Sequence, residues 1–242
     1  MSAYLSTKSL AEVDRVKRDI IRLYDKDFIR IDPTGKASAM FKAIPSELTR
    51  NSSRYQVASV TENGRANRLL ETITNMGESM VVNMAYHAND PGPGMAFHKD
   101  TSTFKMFVGD TGLFVTLAFW DKEFTDNVIY QKLLTDKLSK DLGYVYENVV
   151  AQMLVASGNE LYYHTFPTES GKHRYEVDFL IPDGDKVVPI EVKSSGYKAH
   201  VSLDAFCTKF SSRVSRPYLI YTKDLRKEGN LLYLPVYMTM FL

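Results

Sequence analysis

The sequence predicts an α/β protein, α+β overall, built in two parts. Three observations lead there. Helical apolar spacing fills the first third and gives way to two strand-like runs around Asn89-Asp90-Pro91-Gly92-Pro93-Gly94. From about residue 138 the order becomes helix, three strands, helix, strand. Across 242 residues, 44% hydrophobic and 24% charged side chains are ordinary globular usage, enough for one large domain or two small ones.

The elements follow in order. Between Leu10 and Ile31, Val13, Val16, Ile20, Ile21, Leu23 and Tyr24 recur at spacings that suit one helix face. Asp32-Pro33-Thr34-Gly35 ends that helix. A second helix is predicted over Lys36 to Ala43 with Met40 and Phe41 inward, and a short third from Pro45 to Leu48, proline being tolerated at a first helical position. Arg65 to Met76 is a further helix, with Leu69, Leu70, Ile73 and Met76 as its stripe and Gly77 placed to end it. Met80 to Tyr86 and Phe104 to Val108 read as two strands flanking the Pro/Gly loop. Helices followed by a two-stranded ribbon outline a winged-helix-like module, and Leu113 to Lys137 is assigned as linker and helix. The second part opens with a helix from Asp141 to Ala156, closed by Ser157-Gly158. Strands follow at Leu161 to Phe166, Arg174 to Ile181 and Lys186 to Lys193; then a helix from Ser202 to Phe210 and a buried strand from Pro217 to Tyr221, with Leu231 to Met238 a candidate last strand. Two strands joined through a helix should be parallel. The parts divide at 1–137 and 138–242.

Composition narrows the function classes. With 30 basic and 29 acidic residues the net charge is +1, so nucleic acid would have to meet a local patch. Residues 140–242 carry 12 of each sign, so neither half is polarised. Cys207 is the one cysteine, which excludes an intrachain disulfide and a cysteine metal cluster. The first residues alternate polar and charged without an apolar run, so no signal peptide is expected. No stretch approaches the ~18 apolar residues of a membrane span. A soluble, cytoplasmic protein is the expectation. His87, His98, His164, His173 and His200 show no zinc spacing and are read as structural or surface residues. Thr34-Gly35-Lys36 lacks the first glycine and the Ser or Thr of a phosphate loop, since Arg30 and Ala37 stand there.

Chemistry concentrates around one predicted hairpin. By alternation Val177, Phe179 and Ile181 share a face, and Glu176, Asp178 and Leu180 the other; Glu191 and Lys193 lie opposite Val188, Ile190 and Val192. A two-residue loop at Asp183-Gly184, or four residues over 182–185, sets Asp178 opposite Pro189 and makes Asp178 and Glu191 diagonal neighbours, roughly 7 Å apart. A three-residue loop would separate them onto opposite faces. Clustered carboxylates need neutralising, and a hard divalent ion such as Mg²⁺ or Mn²⁺ does so while activating water and steadying charge on a phosphate. Lys193 can point into the same place, and Glu147, beside the apolar stripe of its helix, can reach it from the neighbouring element.

Glu147, Asp178 and Glu191-Val192-Lys193, in this order across a hairpin, resemble the PD-(D/E)xK nuclease superfamily, whose restriction-endonuclease-like fold is a mixed sheet. More broadly, Asp19 to Tyr24, Met40 to Pro45, Phe104-Lys105-Met106, Asp110 to Leu113, Tyr146-Glu147-Asn148, Glu176 to Ile181 and Ile190 to Ser194 make nearly the whole chain similar to the C-terminal half of a bacterial and archaeal AAA-type ATPase family. Those proteins end in a winged-helix segment and a nuclease-like domain of unknown function. The resemblance implies Glu147, Asp178 and Glu191 as metal ligands and Lys193 as the catalytic lysine. It implies DNA and an ATPase domain, in cis or in trans, as partners. The ATPase domain itself is absent here, and Val177 stands where the motif has proline.

Plainer readings stand beside these. Asp178, Glu191 and Lys193 could form cross-strand ion pairs on a solvated face, and Glu147 could be an exposed helix residue. Lys36, Lys42, Arg50, Arg54, Arg65 and Arg68 surround the helical module; Arg65 and Arg68 are the candidate DNA contacts, against an ordinary mixed surface or a face for the ATPase. The expected function is Mg²⁺-dependent hydrolysis of DNA. The alternative is a non-catalytic DNA- or partner-binding region of an ATPase that keeps the nuclease fold.

Overall fold

The computed structural model describes residues 2–50, 53–59, 69–121 and 143–242. Helix α2 spans Leu10–Ile31, as the periodicity predicts, and a short helix α1, Ser2–Thr7, precedes it unpredicted. Ser9 caps α2 by accepting the Glu12 N–H at 3.3 Å. Ile21 and Phe28 form the buried stripe, with Ile20 and Tyr24 beside it, while Leu23 faces solvent. At Asp32 the chain turns: its carboxylate accepts from the Thr34 and Ala37 N–H groups, and Gly35 takes φ +75°. The second and third helices of the sequence reading are one, α3, Lys36–Thr49, running through Pro45. Next to the carbonyl that Pro45 leaves without its helical donor, the Met40 carbonyl accepts the buried Tyr55 hydroxyl at 2.8 Å.

Helix α4 is Leu70–Glu78, and Gly77 lies inside it rather than after it. A Cβ on Gly77 would sit 3.1 Å from the Met84 side chain, so glycine lets α4 pack closely on β1 without displacing Met84. Strands β1 (Val82–Ala88) and β2 (Lys99–Val108) pair antiparallel, and α5 covers Thr111–Ala118. The remainder of the predicted linker-helix, 122–137, and the start of the predicted helix at Arg65, including Arg68, lie outside the described residues. Then come α6 (Gly143–Ala156), β3 (Leu161–Pro167), β4 (Arg174–Asp183), β5 (Lys186–Lys193), α7 (Val201–Lys209), β6 (Tyr218–Tyr221), β7 (Arg226–Glu228) and β8 (Leu231–Pro235). The chain after Pro235 is a 3-10 turn, Val236–Phe241, so the last strand is shorter than predicted.

The α+β class is as the sequence predicts, but the ribbon is not a free-standing wing. The strands form one sheet in the order β2-β1-β3-β4-β5-β6-β8-β7. β1 runs parallel to β3, pairing Tyr86 with Tyr162, so one sheet continues from the first part of the chain into the second. Helix α6 packs Val150, Ala151 and Leu154 against Ala85, Phe107, Tyr163, Phe179 and Ile190. Helix α7 brings Phe206 to the other face, with Tyr162, Phe166, Val177 and Leu180. A third core joins α2 to α5 with Phe104, Met106 and Val108. β5 and β6 are parallel around α7, as the crossover rule requires.

Candidate functional site

The hairpin between β4 and β5 sets the register of the site. Its loop is Gly184-Asp185, with Asp183 paired to Lys186, one position later than the sequence reading placed it. Gly184, at φ +60°, fills the loop position that needs a left-handed backbone. Because the shift keeps the loop at two residues, the parity survives. The pairing ends at Phe179 with Ile190, and one step further in the same register Asp178 stands directly opposite Glu191 instead of diagonal to it. There the ladder stops, and the Asp178 carboxylate replaces it, accepting the Val192 N–H at 2.7 Å.

Alternation on β4 is broken just here. The β3–β4 pairing shifts between Tyr162–Leu180 and His164–Val177, a bulge at Asp178-Phe179 opposite Tyr163. Val177 and Leu180 therefore pack on the α7 side, while Phe179 and Ile181 pack on the α6 side. The face assignment Val177-Phe179-Ile181 made from period 2 is corrected accordingly. The bulge re-aims Asp178 and Glu176 toward Glu147.

Glu147 arrives on α6, which is fixed by its neighbour Asn148. The fully buried Asn148 amide accepts the Val108 N–H and donates to the Val108 carbonyl, each at 2.9 Å, and donates to the Thr111 hydroxyl at 3.0 Å. That amide pairs with β2 as a further strand would. β2 in turn delivers Lys105, 7% exposed, whose ammonium pairs with Glu176 and lies 5.3 Å from the centre of the Tyr163 ring. Lys193 pairs with Glu191 at 2.6 Å.

The four predicted residues, Glu147, Asp178, Glu191 and Lys193, thus come together, with Glu176 and Lys105 added. Their mutual influence is strong. Burial first, then the charge of Asp178, pushes Glu147 up to about 7 against the pull of Lys105 and Lys193. Burial and Asp178 push Glu191 up to about 8 against Lys193. Burial, with Glu176, raises Asp178 as well. Burial alone would lower both lysines, but Glu176, Glu147 and Asp178 around Lys105, and Glu191 beside Lys193, hold both ammoniums charged. One oxygen of Glu191, Oε2, is buried without a hydrogen-bond partner, as is the Tyr163 hydroxyl.

A cleft of about 540 Å³ opens onto this cluster at Lys105, Glu147 and Glu176. Its walls carry Arg50, Arg54, Lys172 and Arg174. Buried Glu47 anchors the wall by accepting from the Gln56 N–H, the Ser59 hydroxyl and Arg50. The cleft does not reach Asp178, Glu191 or Lys193 among its lining residues. Arg65 and Arg68 lie outside the described residues.

Sequence reasoning missed Lys105. The available signal was a lysine embedded in Phe104-Lys105-Met106-Phe107-Val108, whose other members are all buried. Of the five histidines, His87 and His164 are buried and structural, stacking at 5.3 Å, with His87 taking the Thr165 N–H and His164 bonding the Ala88 carbonyl, while His98 and His173 lie at the surface. Cys207 is half-buried, and burial pushes its thiol up to about 11. No described helix is long and apolar enough to cross a membrane.

Residues 142–238 match the family model described as a domain of unknown function, DUF4143. The match takes in Glu147, Glu176, Asp178, Glu191 and Lys193 and leaves Lys105 outside it. No curated protein and no solved structure matches the chain.

Proposed function

We propose that the chain is a divalent-metal-dependent phosphodiesterase acting on DNA, working with an AAA-type ATPase. The observation that carries this reading is the meeting of Glu147, Asp178, Glu191 and Lys193, from one helix and two strands, in a single electrostatically coupled cluster beside a cation-walled cleft. The ATPase link draws on the match at 142–238, a domain found in AAA-ATPase-associated proteins.

Glu147, Asp178 and Glu191 are the side chains that would hold a hard cation, once released from the Lys193 ion pair and the Val192 hydrogen bond. Four carboxyl groups, Glu147, Glu176, Asp178 and Glu191, surround two ammoniums, Lys105 and Lys193, and the crowding that raises Glu147, Asp178 and Glu191 is what a bound cation would relieve. Glu191 Oε2 is a buried acceptor with no donor. Mg²⁺ or Mn²⁺ held by Asp178, Glu191 and Glu147 would supply Lewis acidity toward a phosphate oxygen and an acidified water. Lys193 keeps its ammonium beside Glu191, where it can steady charge growing on the phosphate. Arg54, Lys172 and Arg174 hold the flanking backbone by charge, independent of base sequence.

One observation favours a second reading, a non-catalytic DNA- or partner-binding region of an ATPase. The carboxylates are engaged internally, by Lys105, Lys193 and the Val192 N–H, and among the described residues no three His, Cys, Asp or Glu side chains are grouped as ready ligands.

Incubating the full chain with supercoiled and branched DNA at millimolar Mg²⁺ or Mn²⁺ separates the two. Cleavage that disappears in Asp178→Ala and Lys193→Ala, with circular dichroism unchanged, supports the enzyme. Absence of both cleavage and Mn²⁺ binding, together with stable docking to an ATPase, supports the second reading and overturns the first.

A further inference from the structure

The cleft beside the acid cluster draws its cations from both parts of the chain. Arg50 and Arg54 follow α3, while Lys172 and Arg174 come from the β3–β4 connection and the start of β4. Arg174 is fixed in place. Its Nε donates to the Thr165 hydroxyl at 3.2 Å, and its Nη2 donates to that hydroxyl at 3.1 Å and to the Thr165 carbonyl at 2.8 Å. Buried Thr165 is held in turn: its N–H donates to His87 Nε2 at 3.2 Å, and His87 Nδ1 meets the Asn89 side chain at 3.1 Å. The acceptors that orient Arg174 are neutral, and its Nη1 is not used by them. Among the described residues no carboxylate pairs with Arg174 or with the exposed Lys172. A guanidinium oriented but not neutralised is prepared for an anion.

We propose that this cleft binds single-stranded DNA, not a duplex, by its phosphates, with Arg174 as the oriented clamp and Arg54 and Lys172 beside it. The inference rests on the reading above that the chain meets DNA, and it requires no metal. A cleft of about 540 Å³ has the size of a small-ligand pocket, room for a nucleotide-sized unit. Cations gathered from two segments into that volume suit the phosphates of a flexible strand that can fold inward. A duplex carries its phosphates outward on two backbones, separated by grooves of about 12 and 6 Å, and meets cations spread over an open face. The acids along the cleft are answered within the protein: Glu47 by Arg50, and Glu176 by Lys105, which also draws on Glu147. Tyr55, the one tyrosine among the described lining residues, is buried, stacks on Phe104 at 5.9 Å and gives its hydroxyl to the Met40 carbonyl. It offers no ring to a base, so the strand is held by its backbone, without sequence preference. Thr165 is a positioning residue: it acts on the strand only through Arg174.

The test is fluorescence anisotropy of the full chain with a labelled mixed-sequence DNA oligonucleotide, single-stranded or annealed to its complement, in chelator and across a range of KCl. The single strand should bind at least about tenfold more tightly than the duplex, and free deoxynucleoside monophosphate should not compete at equal phosphate concentration. Three phosphate contacts predict a log–log salt slope of about −2 for a single strand. Arg174→Gln should weaken binding about tenfold and take roughly one contact from that slope. Thr165→Val keeps every charge, so it should weaken binding about threefold with the slope unchanged, which a general loss of structure would not do. Lys227→Gln, on the exposed strand β7, should match the wild type. A duplex bound as tightly as the single strand overturns the strand class and leaves the DNA reading standing. Equal affinity in the wild type and Arg174→Gln, or an equal loss in Lys227→Gln, overturns the cleft as the site. Competition by the free nucleotide overturns the strand in favour of a nucleotide ligand. Metal-dependent cleavage without single-strand binding removes this inference alone, and no binding of either DNA with no cleavage overturns both.

Discussion

Two sets of ion pairs in this molecule use the same residue types and behave in opposite ways. Along α2, Arg15 joins Glu12 at 2.5 Å and Asp19 at 3.3 Å, and Arg22 joins Asp19 at 2.8 Å, all on a solvated face. There the Arg15 hydrogen bond draws the Glu12 carboxyl below its ordinary value. At the sheet, Glu147 and Glu191 also have lysines nearby, yet both are raised, because burial and the neighbouring Asp178 outweigh the cations. Water makes the first set nearly interchangeable. Its exclusion makes the second set depend on how many charges of each sign are present.

The comparison can be broken most severely through activity. Removing Lys193 or Asp178 is expected to reduce Mn²⁺-dependent DNA cleavage at least about 100-fold, the scale of losing one preorganised charge at a reacting phosphate. Single-turnover rates measure it. Equal rates in wild type and Lys193→Ala would place the cluster with the α2 pairs as mere surface chemistry.

Next in size is the clamp that brings α6 to the site. Asn148→Ala removes three hydrogen bonds and strands the Val108 N–H and carbonyl in the core. A loss of about 2–4 kcal/mol in urea unfolding is expected, near the upper range for buried polar partners. A loss well below about 1 kcal/mol would mean that water or a shift of α6 replaces the amide.

pH sharpens the contrast further. A carboxyl raised on folding binds its proton more tightly in the native state than in the unfolded chain, so its effect on stability is adverse once pH exceeds its unfolded value. For Glu147 and Glu191, metal-free stability should fall as pH climbs from about 4.5 toward 7 to 8 and level off above. On the proposed function, millimolar Mn²⁺ held by the deprotonated carboxylates should flatten that decline. Glu12 has the reverse sign: lowered on folding, it favours the native state above its ordinary value, and that contribution fades as pH drops. Denaturation midpoints from pH 5 to 9, with and without metal, report the balance; stability that rises between pH 6 and 8 without metal would contradict the burial assigned to the two carboxyls. Smallest of all, Arg15→Ala, at a side chain 63% exposed, should leave the unfolding midpoint indistinguishable from wild type.

Much of the site was legible because its signals are local. Glu191 and Lys193 lie two apart on a strand, and Asp178 lies across a hairpin that Gly184 pins. Even a loop misplaced by one residue preserved the parity that brings Asp178 to Glu191. Phe179 and Val177 were assigned to one face because a bulge leaves no mark on an alternating sequence; it arises where Tyr163 on β3 must oppose two residues of β4. The ribbon was read as a wing because β1 and β2 do pair with each other, and only the parallel contact of Tyr86 with Tyr162 joins them to the larger sheet. Lys105 escaped notice for the same reason: its partners lie more than forty residues away in sequence.

By itself the sequence determined most of the helices and strands, the turn chemistry at Asp32 and Gly184, and the carboxylate–lysine pattern of Asp178, Glu191 and Lys193. Periodicity and backbone preference act over a few residues, which is why these could be read. Tertiary structure decided that β1 docks on β3, that a bulge turns Asp178 toward α6, and that a lysine from β2 joins the acids. Those outcomes depend on which surfaces exclude water together, a property of contacts between distant segments that no local pattern encodes.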